Sequence, residues 1–263
     1  MTKKQLREIR LMEMLRLSNR LEVSVVAASL DISEATVRRL FAQLEEQGKA
    51  IRVIGGVQLA PPYAYDYSYR VAAQHRSREK EAIGRRAAEL VEENDRLFLD
   101  SGTTVLKLAE ALSLRLQSGD LSDLIVLTNS LFLIDALARH CKVILIGGEI
   151  RHERRDVCGT VAEKSLAMFH VTKAFLGADA VHVRRGFMTT DDRTAMMSEL
   201  VVNRADAVYV LADSGKFRAT SFMTYGPLTT ARCIITDRGL PEKVRAEFVK
   251  AGARVEVVPA APE

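Results

Sequence analysis

Cysteine is scarce in this chain of 263 residues: Cys141, Cys158 and Cys233 are far apart, form no CxxC pair and have no histidine pattern beside them. That excludes a disulfide framework and a zinc site, and it fits a reducing compartment. The five histidines, His75, His140, His152, His170 and His182, show no spacing that would set two ligands on one metal, so no metal site is expected. Long apolar runs are missing as well. Nothing approaches the roughly 20 residues of a membrane span, and Lys3 and Lys4 lead into Gln5, Leu6 and Arg7 instead of a signal-peptide core. A cytoplasmic protein is expected. Neither a Walker lysine loop nor a GxGxxG turn follows the first strand-like run of the larger part, so nucleotide binding lacks its motif and no cofactor is expected.

What is present is the balance of a soluble globular protein, 48% hydrophobic and 27% charged. The length suits one small domain and one larger one. Residues 1–60 hold ten Lys/Arg and seven Asp/Glu, so +3 of the formal +4 lies there. An excess of that sign suits a polyanionic partner at the amino end, provided a motif supports it.

Leu6, Ile9, Met12 and Leu15 recur every three residues and predict a first amphipathic helix, ending near Ser18, Asn19 and Arg20. Ser24 is the expected cap of a second, with Val25, Ala28 and Leu30 as its apolar contacts before Asp31. The third is capped by Ser33 and stopped by Gly48, and its Val37, Leu40, Phe41 and Leu44 form one buried stripe. Thr36, Arg38, Arg39 and Gln43 then lie on the opposite face. Lys49 to Ile54, Gly55-Gly56 and Val57 to Leu59 read as two strands about a glycine turn. Three helices and a hairpin make a winged helix-turn-helix over 1–60. Its chemistry suits double-stranded DNA, with Arg38 and Arg39 reaching base edges and Ser33, Thr36, Arg52, Gly55 and Gly56 placed to fix phosphates.

Ala60-Pro61-Pro62 opens a linker over 61–77, in which Tyr63, Tyr65, Tyr67 and Tyr69 alternate, either as a packing strand or as a site on DNA. A helix from Arg78 through Ile83, Ala87, Leu90 and Val91 begins the second domain, 78–263, with Arg85 and Arg86 on a solvated face. Short β-rich runs then alternate with helical stretches, at 96–100, 124–128, 143–146, 173–177, 207–212, 233–236 and 253–257. This is the pattern of an α/β domain with a mostly parallel sheet. Small polar clusters follow the runs: Asp100-Ser101-Gly102-Thr103-Thr104, Thr128-Asn129-Ser130, Gly147-Gly148, Gly177-Ala178-Asp179 and Asp213-Ser214-Gly215-Lys216. In an open parallel sheet these ends share one edge, where ligands bind. Hydroxyls and free N–H groups at a helix start suit a phosphate, glycine allows close approach, and Lys216 supplies counter-charge. The expected effector-binding set is Asp100, Ser101, Gly102, Thr103, Thr104, Thr128, Asn129, Gly147, Gly148, Asp179 and Lys216. Arg151, Arg154 and Arg155 read as a solvated charge run and stay outside it.

Ser33 to Arg39, Leu44 to Gly48 and Arg52 to Gly56, together with the polar clusters, Gly159, Phe175 to Asp179 and Thr236-Asp237, resemble the DeoR family of sugar-metabolism repressors. The resemblance spans nearly the whole chain. It implies a sensor fold like that of ribose 5-phosphate isomerase and a phosphorylated sugar or polyol as effector; separately, one reader per chain and the palindromic operators that paired readers need lead to an expected oligomer, dimer or tetramer. The chain departs from the family pattern at Leu40, Ile54, Ala180 and Gly215, and residues Leu114 to Ser122 are expected to lengthen a loop. The rival class is a phosphosugar isomerase with Asp179 as base and Lys216 as electrostatic partner. Against it, Ala180 and Val181 stand where such enzymes tend to carry a second acid. A purely structural DNA-binding protein leaves the polar strand ends unexplained.

Overall fold

The computed structural model describes residues 3–18, 20–46, 49–59 and 69–259, except the side chains of 3–5, 16, 17, 59, 70, 71 and 218. They fall into two compact units, Met1–His75 and Arg76–Glu263. The first contains α1 (Lys3–Ser18), β1 (Arg20–Glu22), α2 (Val23–Leu30), α3 (Glu34–Glu46), β2 (Ala50–Val53), β3 (Gly56–Leu59) and α4 (Tyr69–Gln74). The strands form an antiparallel sheet in the order β1-β3-β2. This is a winged helix-turn-helix.

Its core takes Val37, Leu40, Phe41 and Leu44 from α3, the expected stripe, against Leu11, Leu15, Leu21, Val26 and Val57. Two expectations shift. On α1, Met12 and Leu15 are buried but Leu6 and Ile9 are 42% and 44% exposed, and Leu11 takes their place. A step of three residues falls about 60° short of a helical turn, so a strict period of three walks off the buried face. On α2, Ser24 lies inside the helix and caps nothing, and Val23 and Val26 replace Val25 and Ala28 in the core. The helix starts directly from β1, and its first N–H, on Val23, donates to the Gly55 carbonyl of the wing turn at 3.1 Å. Tyr69, expected in the linker, opens a short helix with its ring buried. Asn19, Gly48, Tyr63, Tyr65 and Tyr67 lie outside the described residues.

In the second unit, α5 (Ser77–Ala88) precedes a seven-stranded sheet. Its strands are β4 (Arg96–Leu99), β5 (Ile125–Thr128), β6 (Lys142–Leu145), β9 (Val171–Gly177), β12 (Ala205–Leu211), β14 (Cys233–Asp237) and β15 (Val255–Val258). Every neighbouring pair is parallel, in the order β15-β14-β12-β9-β4-β5-β6. Both faces are covered, so alternate residues of one strand enter two cores. Leu97 and Leu99 pack with Ile83 of α5 and Leu108 and Leu112 of α6 (Thr103–Ser118), whereas Phe98 joins Leu176, Val210, Ile234 and Phe248 on the other side. That double burial is why each strand reads as an unbroken apolar run.

Three features were not expected. Hairpin β7 (Glu149–Arg151) and β8 (Asp156–Cys158) follows β6, and β10 (Ala180–His182), β11 (Gly186–Thr189) and β13 (Met223–Gly226) form a small antiparallel sheet. Strands of three or four residues are too short to display a period. Residues 114–118, expected in a loop, continue α6 to Ser118, where Gly119 ends it in the left-handed region at φ 78°. Three further helices, α8 (Thr160–Leu166), α9 (Asp192–Val202) and α10 (Glu242–Lys250), line the sheet beyond α7 (Leu133–Leu137).

Candidate functional site

On the first unit, Ser33 caps α3: its Oγ accepts from the Thr36 N–H at 3.3 Å and lies 2.9 Å from Thr36 Oγ1. Arg38 and Arg39 stand exposed on the outer face, Arg38 touching Glu34 at 3.3 Å across an open pair. Gln43, expected beside them, is half-buried and donates to Glu8 of α1 at 3.1 Å. Arg52 is exposed on β2, 4.0 Å from Glu45. The two glycines differ in role. Gly55 turns the chain at φ 77° in the open, whereas Gly56 is buried, and a Cβ there would come 2.0 Å from the Leu21 carbonyl. Gly56 therefore lets β1 and β3 meet.

On the second unit the strand order reverses between β4 and β9. The chain winds outward from β4 through β5 to β6, then returns to β9 and winds the other way. Diverging connections leave a crevice there, at the carboxyl ends. Asp100 spans it: Oδ2 accepts from the Gly177 N–H at 3.1 Å and Oδ1 from the Ser101 N–H at 2.8 Å. A Cβ at Gly177 would sit 3.4 Å from Asp100 Oδ2 and 4.0 Å from the Gly102 Cα, so two glycines keep the gap narrow. Beyond Gly102 starts the sixteen-residue α6, with Thr103 and Thr104 buried. The N–H groups of Thr103, Thr104 and Val105 find no acceptor among the described residues. Helix starts left so carry partial positive charge.

Around this start the other residues take distinct positions. Asp179 Oδ2 accepts from Thr189 Oγ1, Thr190 N and Thr190 Oγ1 at 2.9–3.0 Å. Asn129 is 3% exposed and donates to the Val157 carbonyl, while its Oδ1 is buried with no partner among the described residues. Thr128 holds the Leu99 carbonyl and the Ser130 N–H, which shapes the turn. Gly147 is open, whereas Gly148 lies against the Cys158 carbonyl. Tyr225, absent from the expected set, donates from Oη to the Gly177 carbonyl at 2.7 Å. Burial, with Asp100 and Asp179 nearby, pushes its hydroxyl well above the ordinary value. Burial likewise raises Asp100, despite the two N–H bonds and with Asp156 and Asp179 adding to the effect.

Lys216 is half-buried in a 3-10 turn (Ser214–Arg218) fixed by Asp213, which accepts from the Gly215 N–H, and Asp237, which accepts from the Ser214 N–H at 2.7 Å. Two further cations meet this loop, and sequence reasoning passed over both. Arg76 donates to Ser214 Oγ at 2.7 Å and approaches Asp213 at 3.5 Å. Lys80 on α5 is only 5% exposed, and burial lowers its ammonium to about 8 although Asp213 opposes the shift. Gly84 packs on the Lys107–Leu108 backbone, and Arg115 donates to the Ala88 and Val91 carbonyls. The two helices thus run side by side in one direction, which brings Lys80, one turn before Gly84, level with Thr103 and Thr104. A lysine within an amphipathic helix reads as a surface residue, so no local signal marked it.

The arginines after Gly148 are not a solvated run. Arg151 bonds Asp156 at 2.6 and 2.8 Å and Asp191 at 2.8 and 2.9 Å, and Arg154 bonds Asp191 at 2.8 Å and Thr190 at 2.7 Å. Asp156 is 2% exposed and receives the Ser101 hydroxyl at 3.1 Å. Burial opposes the Arg151 charge, but the two carboxylates outweigh it and raise the guanidinium further. Arg155 is half-buried as well, its guanidinium 5.6 Å from the Phe132 ring centre. Hairpin β7–β8 folds these side chains inward beside Ser101, which the spacing of three charges alone does not reveal. Arg86, too, leaves its expected solvated face to pair with Glu256.

Comparison with known proteins gives two family matches: residues 7–62 match the DeoR-like helix-turn-helix domain, and residues 75–238 match the DeoR C terminal sensor domain. The HTH-type transcriptional repressor GlcR of Bacillus subtilis is 32% identical over 92% of each chain. The transcriptional repressor AccR of Agrobacterium fabrum is 30% identical over 93% of this chain and 96% of its own. Among solved structures, ribose 5-phosphate isomerase A from Neisseria gonorrhoeae overlaps 55% of this chain and 54% of its own, with a TM-score of 0.39 and 19% identity.

Proposed function

This chain belongs to the DeoR family of helix-turn-helix transcriptional regulators, and on that premise we propose that it represses a sugar or polyol catabolic operon in the cytoplasm under the control of a phosphorylated effector. Relatives matched over nine tenths of both chains are named repressors, and the chain is a regulator, not an enzyme. The observation that carries the effector reading is the start of α6, a long helix with three free N–H groups and two buried threonines opening at the switch point of the sheet. Phosphate satisfies such a start, with Thr103 and Thr104 as hydroxyl donors, Ser101 beside them with its hydroxyl held by Asp156, and Lys216 and Lys80 as counter-charge. The free Oδ1 of Asp179 and of Asn129 then accept from sugar hydroxyls. Asp100, Gly102, Gly147 and Gly148 frame the pocket, and Thr128 holds its turn.

On the reader, Arg38 and Arg39 contact base edges, while Ser33, Thr36, Arg52 and the Gly55–Gly56 turn lie along phosphates. One reader per chain suits a dimer or tetramer on a palindromic operator, and a single-chain mass in light scattering with full operator affinity contradicts that part.

Thermal unfolding against a panel of sugar phosphates and their unphosphorylated parents tests the effector. A ligand of the folded state at about 100 times its Kd adds about 2.7 kcal/mol. The midpoint is expected to rise with one or a few phosphate esters and with none of the parents. A rise with the parents alone removes the phosphate from the reading.

A further inference from the structure

The chain passes from the first compact unit to the second between His75 and Arg76. Helix α4 ends at Gln74 and α5 starts at Ser77, so His75 and Arg76 alone separate them. Nothing in the local sequence asks for a break. Gln74-His75-Arg76-Ser77 holds neither glycine nor proline, and glutamine and arginine are good helix formers. The break is made at Arg76, whose backbone stands in the left-handed region at φ 52° and ψ 43°, where a residue with a side chain is disfavoured.

A tertiary contact holds it there. Arg76 Nη1 donates to Ser214 Oγ at 2.7 Å, and Nε lies 3.5 Å from the buried Asp213. A Cβ at Gly215 would come 3.3 Å from the Arg76 Cζ, so the guanidinium rests against bare loop backbone. This 3-10 turn, Ser214–Arg218 after its cap Asp213, is also the one that carries Lys216. Three cations thus gather at it, and Lys216 and Arg76 both help to lower the Lys80 ammonium. An anion among them relieves the mutual repulsion and keeps Arg76 on the turn. We propose that Arg76 is the hinge through which the effector site acts on the reader: held on the turn it keeps α4 and α5 apart, released from it residues 69–88 close into one helix, and the free protein exchanges between the two. Only the part played by the ligand rests on the phosphate reading given above; the hinge itself rests on the backbone and its contacts.

Arg76→Ala and Arg76→Gly separate backbone from charge: both remove the guanidinium, but only glycine is at ease in the left-handed region. The probe is a duplex enriched from a random-sequence pool by the full-length wild-type chain. Without ligand, Arg76→Gly should bind it within about twofold of wild type, because glycine keeps the break. Arg76→Ala should differ from Arg76→Gly by about fivefold or more, the preference of alanine against left-handed backbone. Hydrogen exchange read by mass spectrometry should be slower at the amides of residues 77–79 in Arg76→Ala than in Arg76→Gly, since a continuous helix gives the first N–H groups of α5 acceptors one turn back. The stabilising sugar phosphate should raise the unfolding temperature of both variants and of the wild type. It should move the wild-type operator affinity opposite to the shift seen in Arg76→Ala, and leave that of Arg76→Ala unchanged. Equal operator affinity and equal exchange in the two variants overturn the hinge, as does an Arg76→Ala that answers the ligand as the wild type does. The contrast between the variants needs no ligand, so it is decided apart from the effector reading, whose own failure shows as no phosphate ester stabilising the wild type.

Discussion

Lys80 is buried on α5 beside Asp213, and in the proposed reading a bound phosphate brings it a further anion. It faces Asp213, Lys216, Glu79 and Arg76, and burial lowers its ammonium to about 8. The folded value lies below the unfolded one, so the charged form is the costly one. Protonated Lys80 weighs against folding below about pH 8, and stability from this group rises between about pH 8 and 10. A bound phosphate reverses the balance by favouring the ammonium, so binding takes up a proton. Calorimetric affinity for the sugar phosphate that stabilises the protein should therefore fall as pH rises through about 8. In Lys80→Met the affinity should be lower and flat over that interval. An equal decline in both proteins would remove Lys80 from the site.

Single elements set out the chemistry on both units. On α3 the stripe was legible because Val37, Leu40, Phe41 and Leu44 sit at helical spacing, and the same periodicity assigned Arg38 and Arg39 to the outer face. Arg39→Ala should cost about 1–3 kcal/mol of specific operator binding if it reads a base, with the fold intact; fluorescence anisotropy on matched and scrambled duplexes separates this from an even loss across sequences. The β7–β8 hairpin is the opposite case. Its strands are three residues each, and what gives it a role is a set of contacts from Arg151 to Asp156 across the hairpin and to Asp191, 40 residues further on, which no local pattern displays. Arg151→Leu leaves Asp156 buried without its cation and should lower stability by about 3 kcal/mol or more. Arg193→Ala, which opens the exposed pair with Glu149, should change it by less than about 0.5 kcal/mol. Calorimetric unfolding of the two variants checks both figures, and equal effects would show that the buried network is not what holds the hairpin.

Across the whole molecule, the seven parallel strands were readable because burial on both faces makes each an apolar run, and the polar residues after them were readable as one edge because parallel strands end together. Which ends face each other was not. That depends on the order of strands, and the switch between β4 and β9, where Asp100 bonds Gly177, comes from pairing across 77 residues of chain. Lys80, Arg76 and Tyr225 reach the same edge from a helix, a turn and a small antiparallel sheet, so no spacing rule joins them to it. In the proposed division of work, one unit reads DNA and the other reports a phosphorylated ligand bound at the start of α6. One titration tests it: fluorescence anisotropy of the selected operator duplex with the full-length protein, as the stabilising sugar phosphate is added and its turnover is followed. The wild type should change its operator affinity with no conversion of the ligand. Thr103→Val and Lys216→Ala should bind the duplex as the wild type does and respond weakly or not at all. A wild-type response in both variants, or turnover by the wild type, would contradict the account.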